Sequence, residues 1–169
     1  MFKRLSAALA CGALLLASPV LAPRAQAAPE AAAPAAWKTA ATDPVFQQVQ
    51  QDERDKFYFD PAVALAKADG LRALGQFAYF DAAVMHGMSG VRSIRAQALL
   101  VAHTPAQGGD ETAWISAFLD ARVREMKTEE AHSDTTRVDT EQRAFLKASN
   151  LDLTRPLTWS VYGDRYSIS

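Results

Sequence analysis

Apolar residues recur every three or four positions along most of the chain beyond residue 42, a spacing that places them on one face of an α-helix. The longest such stretch extends from Val63 to Met85 and includes Leu71, Leu74 and Phe77. Shorter stretches with the same period precede and follow it. The pattern predicts five helices, which cover residues 43–57, 60–86, 91–103, 110–123 and 139–150.

Capping signals mark the starts of these helices. Asp43-Pro44 and Asp60-Pro61 each place a short acidic side chain before a proline, a combination typical of the first helical turn. Asp110 is a third candidate cap, and Asn150 follows the last periodic stretch. We therefore expect the chain to start a new helix at residue 60.

Glycines divide the pattern. Gly70 and Gly75 fall inside the predicted second helix, where each costs about 1 kcal/mol relative to alanine, and they would permit a kink or close packing. Residues 87–90 predict a turn, and residues 105–109 predict a loop. Residues 151–169 lack helical periodicity and carry several aromatic side chains, so we expect an extended tail that docks through its rings. The predicted fold class is mainly α.

The first 27 residues have the pattern of a secretory signal peptide. Lys3 and Arg4 precede an apolar run over residues 6–21, and Ala25-Gln26-Ala27 fits a cleavage site. A membrane anchor is the weaker interpretation, because prolines interrupt the run before it reaches the roughly 18 to 20 residues that a span needs. We expect cleavage after Ala27, secretion, and no membrane attachment of the mature chain.

The rest of the chain divides into a tether and a domain. Residues 28–36 are rich in Ala and Pro and predict a flexible linker, and residues 37–169 predict one helical domain. The single cysteine, Cys11, lies in the signal, so no disulfide is expected. The 169-residue chain has a net charge of −1, but residues 1–27 hold three of its 18 basic and none of its 19 acidic residues. The mature chain would carry −4, which disfavours nucleic acid and suits a cationic polymer.

Several chemistries have no support in the sequence. The three histidines, His86, His103 and His132, are far apart and form no paired metal motif, so neither a metal nor another cofactor is expected. No G-x-S-x-G nucleophile elbow occurs. Carboxylates are plentiful, and a pair of them could support glycoside hydrolysis. Most lie among other charges and predict solvated helix surfaces, as for Glu53, Asp55, Glu125, Glu130 and Glu141.

Asp81 differs from these carboxylates because it falls on an apolar helix between Phe77 and Val84. A carboxylate in that setting is expected to be partly buried, and a buried charge needs a partner. Arg122 and Arg137 are the candidate partners. Such an ion-pair cluster could be purely structural, or it could support a catalytic group.

Long stretches of the chain resemble the secreted chitosanases of glycoside hydrolase family 46. The resemblance extends from residue 43 to residue 169 and is densest in eight segments, which are residues 45–48, 52–55, 58–63, 66–79, 84–87, 104–112, 137–143 and 150–153. It implies a mainly helical, two-lobed, lysozyme-like fold with a deep cleft. It also implies internal cleavage of chitosan, the β-1,4 polymer of glucosamine, with inversion of configuration.

The resemblance implies roles for particular residues. Asp81, Arg122 and Arg137 match a network that orients the family's general-acid Glu. Four further residues match regions that border the sugar subsites, namely Tyr58, His86, Glu129 and Asp134. Ser133 stands where an acidic residue would be expected, which would weaken recognition of an amine.

The resemblance also implies departures. The family's general acid and general base lie in an N-terminal helix and β segment, and no motif in this sequence corresponds to either, so we expect a partial fold with no catalytic carboxylate retained. A short loop is also missing between His86 and Val91. Impaired chitosan hydrolysis, non-catalytic glycan binding, and activity restored by a second chain are all consistent with this pattern. Substitute carboxylates, such as Glu129 with Asp134, are a fourth interpretation.

Overall fold

The computed structural model describes residues 33–128 and 130–169. The chain divides into two units, residues 1–40 and residues 41–169. In the first unit the described residues form α1 (Ala33–Ala40). Residues 33–36 are therefore helical, where the sequence pattern predicts a flexible tether. The predicted signal, residues 1–27, and Glu129 lie outside the described residues.

The second unit begins with a helical run over residues 44–68. Asp43 caps α2 (Pro44–Arg54), and its carboxylate accepts the Val45 N–H at 2.8 Å. A π-helical turn (Asp55–Phe59) then leads directly into α3 (Asp60–Ala68). α3 thus begins at Asp60 as predicted, but it continues the preceding helical run without a break. The wider π turn accommodates Pro61, which has no N–H to donate, without ending the helix.

Two glycines shape the next helix. Gly70 lies after α3 at φ 81°, in the turn rather than inside a helix as predicted. A Cβ there would come within 3.0 Å of the Ala106 nitrogen, so the backbone requires glycine. α4 (Ala73–Leu99) consists of two helical halves that meet at a kink at Gly87, which has φ 67° and ψ 170°. The predicted turn over residues 87–90 is therefore present as a kink at one glycine, which adopts positive φ readily.

α5 (Glu111–Met126) packs against α4 and encloses most of the core. Asp110 caps it as predicted, accepting the Ala113 N–H at 2.8 Å. The Tyr79 and Phe118 rings lie 4.4 Å apart between the two helices. The largest fully buried apolar side chains of the core are Trp114, Tyr79, Phe118, Leu74, Ile94, Ile115, Leu119 and Met126.

The C-terminal part contains a π-helical turn (Arg137–Gln142), the short helix α6 (Arg143–Lys147) and a β-hairpin. The strands β1 (Leu157–Val161) and β2 (Asp164–Ile168) pair antiparallel, with Trp159 opposite Tyr166. The extended tail is therefore a hairpin. Thr140 anchors it by donating its hydroxyl to the Ser160 carbonyl, and the Tyr162 N–H donates to the Thr136 hydroxyl at 3.2 Å.

The mainly α fold class is confirmed, since the described strands are limited to this two-stranded sheet. None of the helices among the described residues combines the length and apolar character needed to span a bilayer.

Candidate functional site

Asp81 lies on the first half of α4 and is 4% exposed. Its Oδ2 accepts from Arg122 Nη1 at 2.7 Å, and its Oδ1 pairs with Arg137 Nη2 at 2.7 Å. Gln142 Nε2 also donates to Oδ2, at 2.9 Å. We call these four residues the Asp81 cluster. The structure thus forms both predicted ion pairs and adds an amide that the sequence did not suggest, while the supporting role in catalysis stays a prediction.

Arg122 is the most deeply buried member of the Asp81 cluster, with 0% of its surface exposed. Its Nη1 donates to Gln142 Oε1 at 3.3 Å, and its Nη2 lies 3.9 Å from the Met85 sulfur. Its Nε makes no hydrogen bond to any described residue. Burial lowers the pKa of Arg122, and the Asp81 carboxylate opposes that shift. A guanidinium keeps its charge in proteins, so Arg122 depends on Asp81 for compensation.

Glu141 borders the Asp81 cluster and is 9% exposed. It makes no hydrogen bond and no ion pair with the described residues, in contrast to Asp81. Burial raises the pKa of Glu141 to about 7, the Asp81 charge raises it further, and Arg137 and Arg122 act in the opposite direction. Its carboxyl is therefore poised to change charge near neutral pH. The prediction of a solvated surface position for Glu141 is wrong.

A groove of about 550 Å³ opens beside the Asp81 cluster, between α2, the following π turn and α4. We call it the α2 groove. Its walls combine aromatic rings with charged groups. They include Glu53, Arg54, Phe57, Tyr58, Phe77, Phe80, Asp81 and Arg137.

The charges in the α2 groove are unequally compensated. Arg54 pairs with Asp55 at 2.7 Å, and Arg137 pairs with Asp81. Glu53 makes no ion pair or hydrogen bond with the described residues and is exposed. It therefore leaves one unpaired carboxylate in a groove that also presents exposed rings, Phe57 at 51% and Tyr58 at 38%.

The predicted subsite residues do not all gather here. Tyr58 lines the α2 groove, but His86 does not. The His86 ring instead meets the His132 ring edge to face, with centroids 5.6 Å apart. Asp134 is exposed, and its carboxylate accepts the hydroxyl of Thr136 at 2.6 Å and the N–H of the same residue at 2.8 Å. These bonds lower the pKa of Asp134.

Glu141 and Gln142 are the site residues that sequence reasoning missed, although a signal for them exists. Val138, Glu141, Gln142 and Phe145 follow the helical spacing of three and four residues, and all four are buried. Two polar residues between two apolar ones on the same helix face indicate polar groups that point inward. Neighbouring charges on the other face obscured this pattern.

A model of glycosyl hydrolase family 46 matches residues 25–157 of the chain. The chain belongs to glycosyl hydrolase family 46. The match covers well over half of the sequence and confirms the resemblance found in the motifs. It extends further toward the N-terminus than the predicted resemblance, which begins at residue 43.

Relatives and solved structures agree with this family assignment. A chitosanase from Streptomyces sp. (strain N174) is 65% identical over 137 residues, which cover 79% of this chain and 49% of that protein. A co-crystal structure of chitosanase OU01 with substrate is 56% identical at a TM-score of 0.77, covering 80% of this chain and 59% of that one.

A complex of the Gynuella sunshinyii family 46 chitosanase GsCsn46A with chitotetraose is 32% identical at a TM-score of 0.73, over 81% of this chain and 62% of that one. The chain thus spans about half the length of the curated relatives that it matches. The mainly helical architecture described above is accordingly part of the family 46 chitosanase fold.

Proposed function

We propose that this protein is a chitosanase-like glycan-active protein that binds chitosan in the α2 groove and hydrolyses it poorly. The observation that carries the proposal is the Glu53 carboxylate, unpaired among the described residues, beside the exposed Phe57 and Tyr58 rings. Glucosamine units are cationic, so they would place an ammonium on Glu53. Their pyranose faces would stack on the rings, since apolar faces of sugars pack on aromatic surfaces much as other apolar groups do.

Impaired hydrolysis follows from the number of available carboxyls. An inverting glycosidase needs two of them about 6.5 to 9.5 Å apart, one to protonate the leaving oxygen and one to activate water. In the part of the α2 groove that the structure describes, both oxygens of Asp81 are held by arginines. Glu53 then remains as one free carboxyl, which is half of the required pair.

Asp134 is a poor substitute for the missing carboxyl. Its low pKa, which results from the hydrogen bonds of Thr136, disfavours a general acid. The Glu129–Asp134 alternative would then require Glu129 as the acid. Non-catalytic binding of chitosan is the second candidate function, because the exposed rings and Glu53 can hold a glucosamine chain without any carboxyl pair.

The test combines binding and cleavage on one sample. We expect the protein to bind soluble chitosan and to release few or no reducing ends. Glu53→Gln should weaken binding about fivefold to tenfold, whereas Asp52→Asn should not, because Asp52 is the adjacent exposed acid on α2 and does not line the groove. Equal binding by both variants would overturn the assignment of the groove. Rapid cleavage would overturn impaired hydrolysis and direct attention to Glu129.

We also propose that the protein is exported, from the charged, apolar and Ala-x-Ala pattern of residues 1–27. Mass spectrometry of the protein from culture medium should show a chain that begins at Ala28. A cell-associated product that retains residues 1–27 would contradict this proposal.

A further inference from the structure

A second groove of about 260 Å³ lies on one face of the hairpin, on the other side of Arg137. We call it the hairpin groove, and its lining residues are Arg137, Glu141, Trp159, Val161, Tyr162 and Tyr166. Arg137 borders both grooves, so the hairpin groove continues the surface of the α2 groove.

The rings of the hairpin groove are held in place. Trp159 and Tyr166 stack with centroids 5.7 Å apart and an interplanar angle of 21°. Phe145 meets Trp159 edge to face at 6.0 Å, which fixes the indole against α6. Tyr166 is 45% exposed and Tyr162 is 58% exposed. Trp159 and Tyr166 therefore form a packed aromatic surface beside the exposed Tyr162 ring, and the ordering of that surface before binding lowers the entropy cost of holding a ligand.

Glu141 supplies the acidic group of this groove, and Arg137 supplies a basic one. It is nine-tenths buried, it has no hydrogen-bond or ion-pair partner among the described residues, and its other side faces an apolar pocket that Phe145 and Leu157 line. The charged groups that face it are Asp81 from α4, Arg122 from α5 and Arg137 from its own π turn. When Glu141 is ionised, the negative charges of Glu141 and Asp81 equal the positive charges of the two arginines. The arginines therefore offset the charge of Glu141 at a distance, without a direct ion pair.

The Glu141 side chain is largely buried, but its carboxylate oxygens keep some contact with solvent, since they are not among the fully buried polar atoms that lack a partner. A ligand that donates hydrogen bonds from a positive charge would bind them without displacing a protein partner. Partial burial also raises the pKa of Glu141. A sugar with an ammonium group fits both features of the groove, because the ammonium would bind the Glu141 carboxylate and the pyranose ring would pack on the aromatic rings. An N-acetylated sugar presents the ring without the charge.

We propose that the hairpin groove binds one glucosamine unit, with its ammonium on the Glu141 carboxylate and its ring against Tyr162 and Tyr166. The inference rests on the proposed function, since it assigns a further unit of the same polymer, but it involves different residues. The groove would select deacetylated units.

The experiment follows the indole signals of the full chain by nuclear magnetic resonance at pH 7, with the glucosamine disaccharide as the probe. The chain has three tryptophans, so Trp159→Phe assigns the signal of Trp159. We expect the disaccharide to shift the Trp159 signal, and the N-acetylglucosamine disaccharide to bind at least tenfold more weakly. Glu141→Gln should lower the affinity for the glucosamine disaccharide, measured from the Trp159 shift, at least tenfold. Asp164→Asn is the matched control, because Asp164 is an exposed acid on the same hairpin that does not line the groove.

A second variant keeps the test independent of folding. Tyr162 adopts φ 54°, which Asn tolerates, so Tyr162→Asn removes the ring and keeps the turn. Tyr162→Asn should lower the affinity for the glucosamine disaccharide about threefold to tenfold. An unchanged affinity of Glu141→Gln, or equal binding of the acetylated probe, would overturn the proposal. Glu53→Gln separates the two sites. Weaker chitosan binding with a retained Trp159 shift supports both grooves, whereas unchanged chitosan binding with a retained Trp159 shift overturns the α2 groove and leaves the hairpin groove. Loss of the Trp159 shift in Glu53→Gln would overturn the hairpin groove as a separate site.

Discussion

Among residues 33–128 and 130–169 the core contains two buried ion-pair clusters, and they differ in how completely their charges are satisfied. In the first, Arg95 donates to Asp69 from Nε at 2.7 Å and from Nη2 at 2.6 Å. The Tyr79 hydroxyl donates to the same carboxylate at 2.8 Å and accepts the Trp114 indole N–H at 3.2 Å. We call these four residues the Asp69 cluster. One acid balances one base, and the carboxylate accepts three hydrogen bonds.

The Asp81 cluster is less complete. It holds two arginines on one carboxylate, its Arg122 Nε has no hydrogen-bond partner in the described part of the chain, and the neighbouring Glu141 has no direct partner there. It also borders both grooves, whereas the Asp69 cluster borders neither. A closed, neutral cluster stabilises the packing of helices. An open cluster with unsatisfied groups at a groove indicates a site at which a ligand or a further polar group completes the network.

Removing the charge of Asp81 should have the largest effect. Asp81→Asn leaves Arg122 fully buried beside Arg137 with no carboxylate between them. Breaking a buried pair in this way costs about 3–5 kcal/mol of the free energy of unfolding. Denaturant unfolding followed by circular dichroism measures the loss.

The exposed pair Arg72–Asp152, at 3.0 Å, provides the control for Asp81→Asn. Asp152 has a side chain that is 60% exposed, so Asp152→Asn should cost at most about 1 kcal/mol. A similar stability for Asp81→Asn and the unmodified protein would show that the buried network does not hold the two arginines in the folded state.

The pH dependence of stability should reveal Glu141. Its pKa rises from the ordinary 4.5 to about 7 on folding, because burial and the Asp81 charge disfavour the ionised form. A neutral Glu141 therefore contributes stability that is fully present below about pH 4.5 and is lost as the pH rises through about 7. The loss is at most about 3 kcal/mol.

The Glu141→Gln variant isolates this contribution, because glutamine cannot ionise. Melting temperatures measured from pH 4.5 to pH 8 should fall more steeply for the unmodified protein than for the variant. Parallel curves would mean that Glu141 reaches solvent when it ionises.

Asp69→Asn should have a smaller effect than Asp81→Asn, although both carboxylates are buried to a similar degree. The Arg95 side chain is 25% exposed and can reach water when its partner is lost, and an asparagine still accepts the Tyr79 hydroxyl. We expect a loss of about 2 kcal/mol, in the range for hydrogen bonds to charged groups. A loss in denaturant unfolding that equals or exceeds that of Asp81→Asn would contradict the contrast between the clusters.

The helices follow from the sequence because their period and caps are local features. Asp43 and Asp110 cap helices as predicted, and the apolar face of α4 is buried. The π turns could not be predicted. Each inserts one extra residue into a helical turn, and this insertion hardly changes the spacing of apolar residues along the sequence. For the same reason the pattern at Pro61 suggests a new helix where the chain continues one.

The site was predictable where a single residue conflicts with its surroundings. Asp81 is a charge on an apolar face, so burial and pairing with Arg122 and Arg137 follow. Glu141 stands among other charges in the sequence, and its burial arises from the hairpin that covers the π turn. That contact joins residues 20 positions apart in the sequence, and the spacing of apolar residues within one segment cannot predict it.

Gly87 places an unusual constraint on the evolution of this chain. Its φ of 67° and ψ of 170° lie in a region that is essentially open to glycine alone, yet an added Cβ would meet nothing nearer than the Ser89 oxygen at 3.9 Å. The penalty for replacing it thus comes from the backbone itself and not from crowding. Compensatory mutations in neighbouring side chains have no clash to relieve, so epistasis cannot rescue a substitution at codon 87 as it can at a packed position.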